Sequence, residues 1–231
     1  MPDGTARFPS HRHEDTLRHL RYAVPGGPLD KSEFMQACRD GGAALERALR
    51  TLDHEHFTVL YRDCRRHVRD AAVARDLVQD TFIRVWQRCA SFHGDSELLP
   101  WIRAILRHAM LDHFRRRDPL VPLDEPMLTT AIEARAGEFA PRGSTAPEDD
   151  AHDAQAAEAF AHGWARFERD CPAQAAVIAW IAEDGLDTEA IARLLERSPG
   201  ATREYISQCR KKARVYLADW YDLAFGAPPR E

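Results

Sequence analysis

Two runs of side chains in this sequence have the residue types and the spacing needed to bind other macromolecules. The first run lies in AVARDLVQDTFIRVWQRCA, residues 72–90, where Asp76, Gln79, Asp80 and Ile83 recur three or four residues apart. On a helix this spacing gathers acidic and amide groups into one ridge around an isoleucine. Such a ridge would suit a partner helix with basic residues, although a solvated helix face can carry the same pattern.

The second run, ELLPWIRAILRHAMLDHFRRR at residues 97–117, is basic and aromatic. Helical spacing turns four apolar side chains inward, namely Ile102, Ile105, Ala109 and Phe114. The side chains left available are Trp101, Arg103, Arg107, His108 and Arg115 to Arg117. Because cations bind phosphates and aromatic rings stack on unpaired bases, this composition indicates a single-stranded nucleic acid as ligand. The alternative is that the last arginines only stabilise the negative end of the helix dipole.

A third segment, DTEAIARLLERSPGATREYISQCRKKARVYL at residues 187–217, predicts a helix-turn-helix. Ser198 is expected to cap the second helix, with Pro199 at its first position, where the missing N–H costs nothing. Apolar spacing predicts a buried stripe of Thr202, Ile206, Cys209 and Ala213. The opposite face mixes groups that read base edges with groups that hold phosphates: Arg203, Glu204, Ser207, Gln208, Arg210, Lys211 and Arg214. A helical hairpin with a solvated basic face remains open as the alternative.

Composition places these segments in an all-α protein of two small helical domains joined by an acidic, flexible linker. Residues 1–44, rich in proline and glycine, are expected to be a mobile extension, and residues 45–118 form the first helical domain. Residues 119–155 are proline-rich and acidic, which predicts a linker because such a composition cannot pack a core. Residues 156–231 form the second domain, and no segment has the pattern of a strand.

The charge distribution is compatible with nucleic-acid binding despite a formal net charge of −5. Residues 45–118 hold 14 basic and 11 acidic side chains, whereas residues 119–163 hold two and nine, so the acidity is concentrated in the linker. No apolar run is long enough for a membrane span and no signal peptide is evident, so we expect a cytoplasmic protein without membrane insertion. Five cysteines without a CxxC pair indicate reduced thiols, and no cofactor is expected.

The run VARDLVQDTFIRVWQR, followed by SFHGDSELLPWIRAILRHAMLDHFRRR, closely resembles region two of the extracytoplasmic-function sigma factors of bacterial RNA polymerase. The resemblance implies that one helix docks on the clamp helices of the polymerase largest subunit through Asp76, Gln79, Asp80 and Ile83. It also implies that the next turn and helix capture the unpaired minus 10 promoter element, through His93, Asp95, Arg103, Arg107 and His108. His108 stands where the family usually has asparagine, which leaves the base preference open.

The helix-turn-helix is similar to region four of the same family. The resemblance implies that Arg203, Glu204, Ser207 and Gln208 read the minus 35 element, although Tyr205 stands where an arginine is common. It implies three partners: core RNA polymerase, promoter DNA and an anti-sigma factor, although nothing in these residues identifies the last. The expected function is promoter-specific initiation of transcription by a protein that is not an enzyme.

Three other interpretations remain open at this point. A helix-turn-helix regulator that never binds polymerase would explain the last segment but not the two runs between Asp76 and Arg117. A relative that docks on polymerase without reading promoters would fit the departures at His108 and Tyr205. A zinc enzyme could use His54, His56, Cys64 and His67, but no second ligand cluster or catalytic carboxylate pair accompanies them.

Overall fold

The computed structural model describes residues 28–117 and 149–225, which form nine α-helices and one 3-10 turn at Cys89–Ser91, with no strand in those two ranges. In chain order the helices are α1 (Lys31–Asp40), α2 (Gly42–Arg65), α3 (Ala71–Arg88), α4 (Leu98–Arg117), α5 (Asp149–Asp170), α6 (Pro172–Ala182), α7 (Thr188–Leu195), α8 (Pro199–Tyr216) and α9 (Ala218–Phe225). The prediction of an all-α fold is confirmed.

The described residues divide into two compact units, with the division between Leu106 and Arg107. The division lies within α4. The domain limits expected from the sequence, with a boundary at residue 118, stay a prediction. None of the helices in the described ranges is long and apolar enough to cross a membrane.

Two segments expected to be irregular are partly helical. Residues 31–40 of the expected extension form α1, which Asp30 begins with a capping box: its side chain accepts from the Glu33 backbone, and the Glu33 side chain accepts from the Asp30 backbone. Gly41, with φ of 65°, ends this helix. In the expected linker, α5 already begins at Asp149. Residues 1–27 and 118–148 lie outside the described residues.

The core of the first unit lies between α2, α3 and α4. Leu52 and Leu60 of α2, Val78 and Val85 of α3 and Ile102 of α4 are fully buried. Asp70 caps α3 by accepting from the backbone N–H groups of residues 72 and 73, which fixes where that helix begins. The four α4 side chains predicted to face inward are buried, as predicted.

The second unit is built around α5, α6 and the α7–α8 pair. Phe167, Val177 and Ile191 are fully buried, one from each of α5, α6 and α7. Gly163 lets α5 approach the end of α8, since a Cβ there would lie 2.5 Å from the carbonyl oxygen of Tyr216. This close approach explains why that position of α5 cannot carry a side chain.

The predicted helix-turn-helix is present at α7 and α8. Asp187 caps α7, which ends at Glu196 in the left-handed conformation with φ of 54°. As predicted, Ser198 accepts from Ala201 N and Pro199 is the first residue of α8. The stripe predicted for α8 is also buried, and it holds Thr202, Ile206, Cys209 and Ala213.

Candidate functional site

The ridge predicted on α3 lies on the surface of the first unit. Asp76 is exposed, Gln79 and Asp80 are half-buried, and 42% of Ile83 is exposed. Asp80 pairs with Arg84 one turn further on, at 2.9 Å. This is a surface ion pair of small energetic value, so the carboxylate can exchange its partner for another cation at little cost.

Trp86 belongs to this exposed surface, whereas the spacing of apolar residues on α3 predicts a core stripe of Leu77, Val78, Phe82, Val85, Trp86 and Cys89. The prediction is wrong for Trp86. Its side chain is 43% exposed and stands one turn after Ile83, so the two form an apolar pair open to solvent. Ala74 and Thr81 are buried together with Leu77, Val78 and Val85 of the predicted stripe, and the Thr81 hydroxyl donates to Leu77 O at 2.7 Å. A threonine whose hydroxyl is bonded to the helix backbone thus occupies a core position of α3, while Trp86 lies outside the core.

The turn between α3 and α4 carries His93 and Asp95, both exposed. Phe92 anchors the turn, since it is buried and its ring centroid lies 4.9 Å from that of Trp101. Gly94 has φ of 80°, and a Cβ there would lie 3.0 Å from the Met35 sulfur, so α1 packs directly against this turn.

Trp101 is less available than its sequence position predicts. It is half-buried, packed against Phe92 and against Phe34 of α1. We therefore correct the expectation that the whole indole is free to stack on a base. Its role as a ring at the edge of a nucleic-acid surface stays a prediction.

Arg103 is also engaged rather than open. Its Nε donates to Asp63 Oδ2 at 2.8 Å, with 35% of the Arg103 side chain and 18% of the Asp63 side chain exposed. Asp63 Oδ1 accepts from Arg66 as well, at 2.7 Å. The sequence pattern contained no signal for this pair, because the partners are 40 residues apart and lie on α2 and α4.

Arg107 and His108 lie in the second unit. The sequence predicts that both side chains are available to a ligand, but both are half-buried. The Arg107 guanidinium donates to Asp184 Oδ2 at 2.7 Å and lies 5.8 Å from the centre of the Trp180 ring, which leaves 16% of the side chain exposed. His108 is half-buried and has interaction partners of its own. The hydrogen bond to Asp184 uses one nitrogen of the guanidinium, Nη2.

The outer face of α8 carries the predicted polar and basic side chains. Arg203, Glu204, Ser207, Arg210 and Lys211 are exposed, and Gln208 is half-buried. The Gln208 amide donates to Glu204 Oε1 at 3.1 Å, so these two side chains are ordered together. Four cations distributed along one helix face, Arg203, Arg210, Lys211 and Arg214, suit the phosphates on either side of a groove.

Tyr205 does not belong to that outer face. It is buried, and the Arg197 guanidinium lies 5.0 Å from the centre of its ring. Burial raises the pKa of the Tyr205 hydroxyl, as does its hydrogen bond to Cys209. A tyrosine in this position therefore stabilises the helix pair instead of contacting a ligand.

No three His, Cys, Asp or Glu side chains come together as a metal site within residues 28–117 and 149–225. The histidines considered for zinc do not converge on Cys64, which is fully buried with a thiol pKa raised by desolvation to about 12. The five cysteines are free thiols.

Comparison with known proteins finds a family match for part of the chain. Residues 52–119 match the model of sigma-70 region 2. The chain is 28% identical over 223 residues to a Xanthomonas campestris pv. campestris protein named "Probable RNA polymerase sigma factor RfaY", covering 94% of this chain and 49% of the relative. It is 40% identical over 78 residues to the "ECF RNA polymerase sigma factor SigL" of Mycobacterium tuberculosis, covering 32% of this chain and 44% of that protein. The chain thus spans about half the length of the curated relatives it matches.

Proposed function

We propose that this chain, a relative of the extracytoplasmic-function sigma factors, binds core RNA polymerase and directs promoter-specific initiation of transcription. Its residues 52–119 match sigma-70 region 2. One observation carries the proposal: the segment that matches region 2 presents the acidic ridge of α3 on its surface, next to two exposed apolar side chains. We propose a cytoplasmic, non-enzymatic protein.

The polymerase-binding surface would be the α3 ridge, with Asp76, Gln79, Asp80 and Ile83 as its contacts. Protein interfaces commonly combine a buried aromatic or aliphatic anchor with a polar rim. Ile83 and the neighbouring Trp86 supply the anchor, and the carboxylates supply the rim. A basic, amphipathic helix pair on the polymerase fits this chemistry.

The melted minus 10 strand would bind along the α3–α4 turn and α4. The side chains assigned to it are His93, Asp95, Trp101, Arg103, Arg107 and His108. Aromatic and cationic groups together suit an unpaired strand, whose bases stack while its phosphates are neutralised. Asp184 accepts from Nη2 of Arg107, so a phosphate would bind the other donors of this guanidinium or replace the carboxylate, since both are charge-assisted partners.

The minus 35 element would be read by α8 in the major groove. Arg203, Glu204, Ser207 and Gln208 are assigned to base edges, while Arg210 and Lys211 are assigned to the flanking phosphates. The exposed positions of these side chains on one helix face support the assignment. An anti-sigma factor is proposed as a further partner on the family resemblance alone.

The test is association of the full chain with core RNA polymerase in the absence of DNA, measured by fluorescence anisotropy of the labelled chain. The proposal expects a stable complex that unlabelled chain competes away. A chain that binds promoter DNA but not core polymerase would instead be a helix-turn-helix regulator, which contradicts the proposal.

A further inference from the structure

One carboxylate in the first unit holds two arginines. Asp63, on α2, accepts from Arg103 Nε of α4 at 2.8 Å and from Arg66 Nη2 at 2.7 Å. Asp63 is the more buried member of the Arg103 pair, with 18% of its side chain exposed against 35% for Arg103. The carboxylate therefore lies behind the guanidinium, which is nearer the solvent.

The contact uses only one edge of the Arg103 guanidinium. Among the described residues no acceptor meets its Nη1 or Nη2 groups, since its hydrogen bond is made through Nε. A guanidinium is planar and its donors form a rigid fork, so fixing Nε fixes the direction in which the terminal N–H groups point. The terminal edge of Arg103 is thus oriented in advance and still has donors to offer.

We propose that Asp63 is a positioning residue for nucleic-acid binding, holding Arg103 so that its terminal N–H groups meet a phosphate of the melted promoter strand. The inference rests on the proposed function, which assigns Arg103 to that strand. Orienting a long side chain before binding removes part of the ordering cost of the complex. A guanidinium held by a carboxylate on one edge can still bind a phosphate oxygen on the other.

The direction in which Asp63→Asn changes the affinity for nucleic acid distinguishes a positioning role from mere proximity. Removing a negative charge near a polyanion's binding site raises affinity through simple electrostatics. A positioning carboxylate predicts the opposite, because Asp63→Asn releases Arg103 into many rotamers. The control is Glu46→Gln, since Glu46 is an exposed carboxylate on the same helix and pairs with an arginine, Arg50, outside any assigned site.

The experiment measures the affinity of holoenzyme, assembled from the full chain and core polymerase, for a fluorescent promoter fragment with an unpaired minus 10 segment, over a range of salt concentrations. Arg103→Ala is expected to weaken binding by about 10-fold and to lower the log–log salt slope by about one. Asp63→Asn is expected to lower this affinity by about 3- to 10-fold, and to have no further effect on it in the Arg103→Ala background. Asp63→Glu is expected to recover part of the loss, and Glu46→Gln to match wild type.

Unchanged or increased affinity in Asp63→Asn would overturn the inference while leaving the proposed function intact. Equal losses of core-polymerase binding and promoter binding in Asp63→Asn would make the pair purely structural and would also overturn it. Wild-type holoenzyme that does not bind the fragment would overturn the proposed function, and this inference with it.

Discussion

Phe34 of α1 and Trp101 of α4 pack ring against ring, with 6.0 Å between their centroids. Phe92 completes the cluster, with its centroid 5.7 Å from that of Phe34. The match to sigma-70 region 2 begins at residue 52, so α1 lies outside the matched segment and still supplies a fully buried ring to its core. The helix α1 therefore supports the α3–α4 turn and α4, which are assigned to promoter DNA.

Replacing Phe34 with alanine should destabilise the first unit by about 3–5 kcal/mol, because it leaves a cavity between α1, the α3–α4 turn and α4. Phe57→Ala is the matched control, since Phe57 is a half-exposed phenylalanine of α2 and should cost less. The measurement is urea-dependent hydrogen exchange of peptides from α4. Equal losses in the two variants would contradict the buried aromatic cluster.

Reversing the charge of Asp80 should abolish binding to core polymerase without lowering thermal stability. Asp80 forms a surface i,i+4 pair with Arg84, so its contribution to folding is about 0.3–0.5 kcal/mol. Glu46→Arg disrupts an equivalent pair on α2 and serves as the control. If Asp80→Arg and Glu46→Arg bind core polymerase equally well in anisotropy titrations, the α3 ridge is not the docking surface.

Truncating Trp86 to alanine should separate binding from stability. Because the side chain is 43% exposed, we expect a change of about 1 kcal/mol or less in the free energy of unfolding. Because Trp86 is proposed as an aromatic anchor, its truncation should lower the affinity for core polymerase by about 10- to 100-fold. Val215→Ala, at a comparably exposed apolar position in the second unit, should leave that affinity unchanged. A large loss of stability with unaltered affinity would mean that Trp86 stabilises the fold and does not contact polymerase.

Two cations of α8 should behave differently toward the upstream promoter element. Arg203→Ala is expected to relax sequence preference at one or two positions, by about 1–3 kcal/mol per contacted base pair. Lys211→Ala should weaken binding to all sequences uniformly and reduce the salt slope by about one. Selection of binding sites from a randomised DNA library, followed by salt titration, distinguishes them. Identical preferences in wild type and Arg203→Ala would remove Arg203 from the base-reading set.

Ionisation of Cys64 should make the first unit less stable in alkali. Burial raises the pKa of this thiol from an ordinary 9.0 to about 12, so between these values the unfolded chain loses a proton that the folded chain retains. Stability conferred by the protonated thiol is complete below about pH 9 and falls as pH rises toward 12. Urea unfolding from pH 8 to 10.5 should show a steeper decline for wild type than for Cys64→Ala. Parallel curves would mean that Cys64 titrates normally.

Local signals made much of the second unit predictable. The cap at Ser198, the proline at the start of α8 and the spacing of Thr202 and Ile206 are all set within a few residues, and the structure agrees with each. Exposure of Ile83 followed in the same way from the period of α3. Features that depend on neighbouring residues in one helix can be deduced from one sequence.

Features that depend on distant residues could not be deduced. Arg103 and Arg107 find their carboxylates 40 and 77 residues away, and no periodicity links such positions. Apolar spacing alone does not predict that α3 buries Thr81 and exposes Trp86, because a threonine can enter the core once its hydroxyl is bonded to the helix backbone. The sequence does not predict the helix α1, because its ten residues are followed by Gly41 and Gly42, which typically mark a turn.

Run-off transcription with core RNA polymerase on a promoter library tests directly whether this chain acts as a sigma factor, with wild type, Asp80→Arg and Arg203→Ala compared. We expect promoter-specific transcripts with wild type, none with Asp80→Arg, and an altered upstream preference with Arg203→Ala. The absence of transcripts with a wild-type chain that still binds DNA sequence-specifically would contradict the proposed function.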